Sequence, residues 1–209
     1  TLFPYTTLFR SDAPYANPEL AESFHVNSFF IGANVRHTLK AGNGSYTPVF
    51  LSELPLLFRK NVVKLDVAFI HVSPPDSHGY CSLGVSVEAS VAAIENAKIV
   101  IAQVNPQMPR TFGDGILHVS EIDYLVDVNL PIFAHDVTPF TAEEEKIGTY
   151  VASLIEDKST LQMGIGSIPN AALSKLTNHK DLGLHTEMFS DGVIDLIEND
   201  VINCNYKGT

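Results

Sequence analysis

The sequence predicts an α/β protein made of two open parallel-sheet units covered by helices. Three observations carry this. Apolar, β-branched runs at 65–72 and 98–104 have the composition of strands buried on both faces. Stretches with apolar residues at helical spacing alternate with such runs, and repeated strand–helix–strand order favours parallel pairing through crossovers. Thr141 and Glu144 form a T-x-x-E capping box ahead of Ile147, Tyr150, Val151, Leu154 and Ile155, an apolar helical stripe that opens a second unit. The boundary falls near residue 140, which divides 12–139 from 140–209.

In order along the first unit, Ser28–Gly32 has strand composition, and Ala33–Lys40 reads as a short helix ended by Gly42. Tyr46–Phe50 reads as the next strand. Ser52 is the expected cap of a helix carrying Leu54, Leu57 and Phe58, with Pro55 inside its first turn. The buried run Leu65–Val72 leads into a loop, Ser73–Gly84. Val85–Ala97, apolar at 87, 91 and 94, is the helix that returns the chain to the strand Lys98–Val104. Residues 105–115 are punctuated by proline and glycine and read as a loop; Tyr124–Val128 is a final strand, and Pro131–Pro139 a connector.

In the second unit the stretch 161–192 concentrates the chemistry. Thr160–Met163 reads as a short buried strand and Gly164-Ile165-Gly166 as a tight turn with bare backbone N–H groups. Pro169 suits the first turn of a helix whose apolar face is Ala171, Ala172, Leu173 and Leu176. Such a turn favours an anionic group, but spacing alone does not distinguish a phosphate from a carbonyl oxygen there. Asn178–Asp181 breaks the pattern, and Leu182–Phe189 reads as a second strand. Ser190-Asp191-Gly192 is the expected cap of the following helix. Glu187 therefore falls near the C-terminal end of a strand, the edge at which open α/β sheets bind ligands. On the residues alone an ordinary solvated carboxylate is the favoured reading, because functional carboxylates are a minority.

Composition limits the partners. The 209 residues are 45% hydrophobic and 18% charged, enough for a sizeable core, and no apolar run is long enough to span a bilayer. A net charge of −11 makes nucleic acid and anionic membranes poor partners. Cys81 and Cys204 are too few and too distant for a disulfide framework, so a reducing cytoplasm is the expected location. His71, His118, His135 and His185 lack H-E-x-x-H or similar spacing, and no metal site is expected. Thr1–Ser11, TLFPYTTLFRS, resembles the translation of a sequencing adapter and is set aside as an artefact. The chain stops at Thr209 without a closing element, so an internal piece of a longer parent, its second unit truncated, is expected.

GIGSIPNA followed by HTEMFSDG resembles the family I coenzyme A transferases, in their acetyl-CoA hydrolase and 4-hydroxybutyrate CoA-transferase branch. The likeness extends through SPPDSHGYCSLGVSVEA at 73–89 and NPQMPRTFGDG at 105–115, and covers roughly residues 13–209. It implies a CoA-transferase architecture with Glu187 as the covalent nucleophile and Gln162, Met163, Gly164, Ile165 and Gly166 at the coenzyme. It also implies acyl-CoA and a small carboxylate such as acetate as substrates, a homo-oligomeric parent, and no cofactor beyond coenzyme A as substrate. Chemistry of this kind runs through a glutamyl-CoA thioester and needs an ionised carboxylate beside N–H dipoles.

Two loops that follow buried strands supply further candidates for the substrate side, Ser77 and His78 in one, Gln103, Asn105 and Arg110 in the other. Asp76, Ser77 and His78 are adjacent in sequence, which does not make a triad, because triad members meet through the fold. Arg110 has the geometry to take a carboxylate bidentately, although a surface salt bridge is the safer expectation. The rival readings are a dinucleotide-binding oxidoreductase, from Gly164-x-Gly166 with an acidic residue about 20 positions on, and a non-catalytic α/β binding fragment. Pro169 counts against the first, since it stands where the fingerprint has a third glycine.

Overall fold

The computed structural model describes residues 13–132 and 139–208. The adapter-like stretch 1–11 and most of the connector lie outside these residues. The chain divides into two compact units, Thr1–Ala134 and His135–Thr209, and each contains parallel strands crossed by helices.

In the first unit, β1 (Val26–Ser28) pairs in parallel with β2 (Gly44–Tyr46), and α1 (Arg36–Ala41) joins them. Both strands begin two residues earlier than their composition indicates. Phe29 leaves the ladder instead and packs edge-on against Phe58, with ring centroids 6.0 Å apart. Gly42 ends α1 in the left-handed conformation, φ +80°, and its N–H reaches Leu39 O. α2 (Leu54–Arg59) has Pro55 in its first turn as expected, but Ser52 does not cap it. Residues Leu51–Glu53 form a 3-10 turn that carries the chain into the helix, so Glu53 takes the cap position and no side chain bonds there.

β3 (Leu65–Val72), β5 (Ala97–Val104) and β7 (Tyr124–Asp127) form a parallel sheet in that order, with Val72 level with Val104 and Val104 with Asp127. The helix expected over 85–97 forms only as α3 (Ser90–Asn96). Burial on both faces does not hold. Ile70, Val72, Val100, Ala102 and Val104 face a core completed by Ile94 of α3 and by Cys81, Leu83 and Leu117. The other face shows Val67, Phe69, Ile99, Tyr124 and Val126 to solvent. A further pair escaped the sequence altogether: β4 (Tyr80–Ser82) runs antiparallel to β6 (Ile116–His118), bringing stretches 34 or more residues apart into register. Three-residue strands leave no readable period.

The second unit opens with α4 (Ala142–Ser153), whose capping box forms as expected: Thr141 Oγ1 accepts from Glu144 N at 3.2 Å, and Glu144 Oε2 accepts from Thr141 N at 2.8 Å. β8 (Thr160–Leu161), α5 (Ser167–Leu173), β9 (Gly183–Leu184) and α6 (Ile194–Glu198) follow. β8 and β9 are parallel, and Leu182 bridges to Ile202. Leu173, Leu176, Leu182, Val193, Leu196, Val201 and Ile202 close the core against Ala152 of α4. Both strands are shorter than expected, two residues in place of 160–163 and 182–189. The first is not buried: Thr160 is exposed and Leu161 half-buried. α4 lies close on α5 because Gly148 has no side chain: a Cβ there would stand 2.7 Å from the backbone of Ala171.

Candidate active site

The glycine turn is where the sequence places it, between β8 and α5. Gly166 has φ +117° and ψ −178°, a conformation open only to glycine. Gly164 is different. Its φ is not in the left-handed region, and a Cβ would meet only Pro169 Cγ, at an ordinary 3.8 Å. The fold therefore requires glycine at 166 and leaves 164 unexplained. Pro169 sits in the first turn of α5, again as expected. That helix has seven residues, so its macrodipole is short, and what the site offers an anion is the exposed main chain of 164–166.

The segment bearing Glu187 runs beside this turn. Leu184 pairs with Leu161, and His185 N donates to Leu161 O at 2.8 Å. At the next position a side chain takes over from the main chain. Thr186 Oγ1 accepts from Met163 N at 3.2 Å, and its one hydroxyl hydrogen lies within reach of Met163 O and Met188 O, 3.1 Å each. A hydroxyl thus occupies the two groups that another ladder rung would use. This is why the strand stops at Leu184 and the chain bends at Glu187, three residues beyond the strand rather than at its end. Glu187 is exposed.

Beyond it, Ser190 Oγ donates to Asn170 Oδ1 of α5 at 2.6 Å and accepts from Gly192 N at 3.3 Å, the cap the sequence indicates. The other end of the turn is held as well. Ser167 donates to Glu144, joining the start of α5 to the capping box of α4. The Ser167 hydroxyl and the Thr141 N–H hold the Glu144 carboxyl below its ordinary range. An apolar cavity of about 230 Å³ opens between α4, β8 and α5; Val151, Leu161, Gln162, Met163, Gly164 and Leu173 line it. Ile165, Gly166 and Glu187 are not among its lining residues.

Ser77, His78, Gln103, Asn105 and Arg110 belong to the first unit, where the loop after β3 and the loop after β5 are tied together. Asp76 Oδ1 accepts from His78 N and Tyr80 N, both at 2.9 Å, and Oδ2 accepts from Arg110 Nη2 at 2.8 Å. Arg110 Nη1 donates to Tyr80 O at 3.0 Å. The N–H groups of Tyr80 and His78 and the Arg110 guanidinium together hold the Asp76 carboxyl below its ordinary range. Arg110 is thus already half of an ion pair, yet more than a third of its side chain is exposed. Ser77 and His78 are exposed on the turn that Asp76 shapes. Gln103 lies on the uncovered face of the sheet, level with His71 and Val126. Asn105 is fully buried, and its amide is spent on the chain: Nδ2 donates to Leu130 O at 2.7 Å, and Oδ1 accepts from Gln107 N at 3.1 Å.

Sequence reading missed Asp76 as the partner of Arg110, and Thr186, Asn170 and Ser167 around the turn. Their partners lie 20 to 34 residues away in sequence, and no local pattern marks such pairs.

Comparison with known proteins supplies context. The profile of the acetyl-CoA hydrolase/transferase N-terminal domain matches residues 6–134. A succinyl-CoA:acetate/propanoyl-CoA:succinate CoA transferase of Fasciola hepatica is 48% identical over 94% of this chain and 41% of its own length. A 4-hydroxybutyrate coenzyme A transferase of Clostridium kluyveri is 47% identical over 92% of this chain and 45% of its own. The crystal structure of a 4-hydroxybutyrate CoA-transferase from Porphyromonas gingivalis superposes with a TM-score of 0.74 at 40% identity, over 90% of this chain and 49% of that one. The chain spans under half the length of the relatives it matches.

Proposed function

The chain belongs to the acetyl-CoA hydrolase/transferase family, and from that premise we propose that it is a segment of a CoA-transferase in which Glu187 is the nucleophile. The observation that carries this reading is local: the Thr186 hydroxyl fixes the residue next to Glu187 on Met163, which directly precedes the bare turn 164–166. A segment bearing a carboxylate and an exposed glycine turn are thereby tied together in one unit. These are the two things acyl transfer through a glutamyl intermediate needs.

A Glu187 carboxylate oxygen attacks the thioester carbonyl carbon, the C–S bond breaks, and coenzyme A leaves as thiolate from a mixed anhydride. The thiolate then attacks the glutamyl carbonyl and expels the acyl carboxylate, which leaves a glutamyl-CoA thioester. An incoming carboxylate such as acetate reverses the sequence and departs as the new acyl-CoA. Water in its place gives hydrolysis from the same intermediate. Gln162–Gly166 contribute backbone to the coenzyme and to the developing oxyanion. Gly164, for which the fold gives no reason, is glycine so that ligand can approach the main chain there. Within the first unit, Arg110, braced by Asp76, has N–H groups beyond the two already engaged and is the residue of its loop suited to bind a carboxylate. Ser77, His78 and Gln103 stand at the same sheet end, and Asn105 supports that loop from within. On this reading the intact protein is a cytoplasmic homo-oligomer, with acyl-CoA and a short carboxylate as its partners.

The test uses the full-length polypeptide carrying this sequence. Incubation with acetyl-CoA, followed by hydroxylamine or borohydride trapping and mass spectrometry, is expected to mark Glu187, and Glu187→Gln is expected to remove turnover. Modification at another residue, or normal turnover in the variant, would end the assignment.

A further inference from the structure

We propose that Thr186, together with the Asn170–Ser190 pair, is the positioning device for Glu187, an inference that rests on the reading of Glu187 as nucleophile. Residues 187–189 form a bridge with one foot on each side of the glycine turn. The first foot is Thr186, whose hydroxyl holds both polar groups of Met163 at 3.1–3.2 Å. The second is Ser190, held by Asn170 Oδ1 at 2.6 Å. Met163 precedes the turn and Asn170 follows it, so the bridge is registered to 164–166 from both directions.

The choice of groups has a physical reason. If the main-chain ladder of β8 and β9 continued past His185, alternate residues would be committed to the two faces of a strand, and the chain would pass the turn in extended form. Substituting a hydroxyl for the next rung keeps the grip on Met163 but frees the main chain of 187 to leave the sheet. A threonine does this with one rotatable bond and a stiff χ1, which makes its grip firmer than that of a longer polar side chain. Ser190 is engaged twice: Asn170 Oδ1 ties it to α5, and the N–H of Gly192 in its own turn orients its hydroxyl. The two feet sit 23 and 20 residues from their partners in sequence, which means the bridge forms only once β8, α5 and β9 are assembled.

The experiment compares Thr186→Val, Thr186→Ser and Glu187→Gln in the full-length protein, measuring kcat and KM for acetyl-CoA exchange, the yield of hydroxylamine-trapped Glu187, and thermal stability. Valine keeps the shape and loses the hydroxyl; serine keeps the hydroxyl. Thr186→Val is expected to lower kcat by about 10- to 100-fold with KM for acetyl-CoA within about twofold, as for a displaced reacting group. The trapped yield falls in parallel, and Thr186→Ser returns kcat to within about threefold of the parent. Thr186→Val at more than half the parental kcat overturns the proposal, as does a serine variant no better than valine. If the valine variant does not fold, Asn170→Ala against Asn170→Asp, which keeps the acceptor for Ser190, decides on the same criteria. An active Glu187→Gln removes the nucleophile and the positioning role together; an inactive Glu187→Gln with an active Thr186→Val removes the positioning role alone.

Discussion

At Gly164 and Gly166 one motif divides into two causes. Gly166 is demanded by its backbone, and any other residue there would carry about 1–3 kcal/mol of strain. Gly164 is not, because a Cβ fits beside Pro169 at ordinary distance. The two alanine variants are therefore expected to part company. Gly166→Ala lowers stability by that amount, whereas Gly164→Ala leaves the melting temperature unchanged, to within about 0.5 kcal/mol, and lowers kcat/KM by tenfold or more. Thermal melts and steady-state kinetics on the full-length protein separate them; equal loss of stability in both would show that the structural difference has no weight. A second residue-scale outcome concerns Asp76. Its carboxyl is held below the ordinary value of 3.8, so the ionised form is favoured by folding. The stability this supplies is complete above that value and disappears as pH falls through the depressed one. The gap in stability between the parent and Asp76→Asn is expected to be constant from pH 7 to about 5 and to close below the ordinary value. A gap that widened on acidification would contradict the assignment. Gly166 and Pro169 are legible in the sequence because each follows a local rule of turn or helix chemistry, whereas Glu187 stands out only through the family resemblance of the motif around it. Thr186 is not legible, because its partner, Met163, is met only in the fold.

Among the elements, α4 and α5 hold the turn in place through close approach. Gly148 lets the two helices meet at a separation no side chain would permit, with the Ala171 carbonyl 2.7 Å from where a Cβ would be. Gly148→Ala must push the helices apart and is expected to cost about 1–3 kcal/mol, read from chemical denaturation of the second unit. Helix propensity argues the other way, since alanine is the better helix former by up to about 1 kcal/mol, so a stabilised variant would show that the helices do not touch there. The Ser167–Glu144 bond adds a second tie between the same elements, from the first residue of α5 to the capping box of α4. Capping signals make α4 legible in the sequence, whereas β8 and β9 are shorter than their composition predicts. Their sequences have strand composition, but the side-chain hydroxyl of Thr186 ends the ladder that composition would have extended.

For the molecule as a whole, the sheet β3-β5-β7 has an apolar face open to solvent, with Phe69 71% and Tyr124 60% exposed. Parallel sheets are normally covered on both faces, and open apolar patches of this kind promote association. Residues 13–208 expressed alone are expected to associate with rising concentration in sedimentation experiments, and Phe69→Lys is expected to weaken that association. Association unaffected by the substitution would place the contact elsewhere. The same chain is expected not to catalyse acyl exchange by itself, because it spans under half the length of the relatives it matches; turnover by residues 13–208 would refute this.

The sequence by itself determined the α/β class, the second-unit helix with its capping box, the glycine turn, and the family. Each of these is written in local pattern or in contiguous motif. Only the tertiary structure decided that one face of the first sheet is open, that Asp76 engages Arg110, and that two hydroxyl anchors, at Thr186 and Ser190, bracket Glu187 on either side of the turn. Those outcomes depend on side chains 20 or more residues apart meeting across strands and helices, and hydrogen bonds formed at such distance leave no period, cap or turn signature in the chain that makes them.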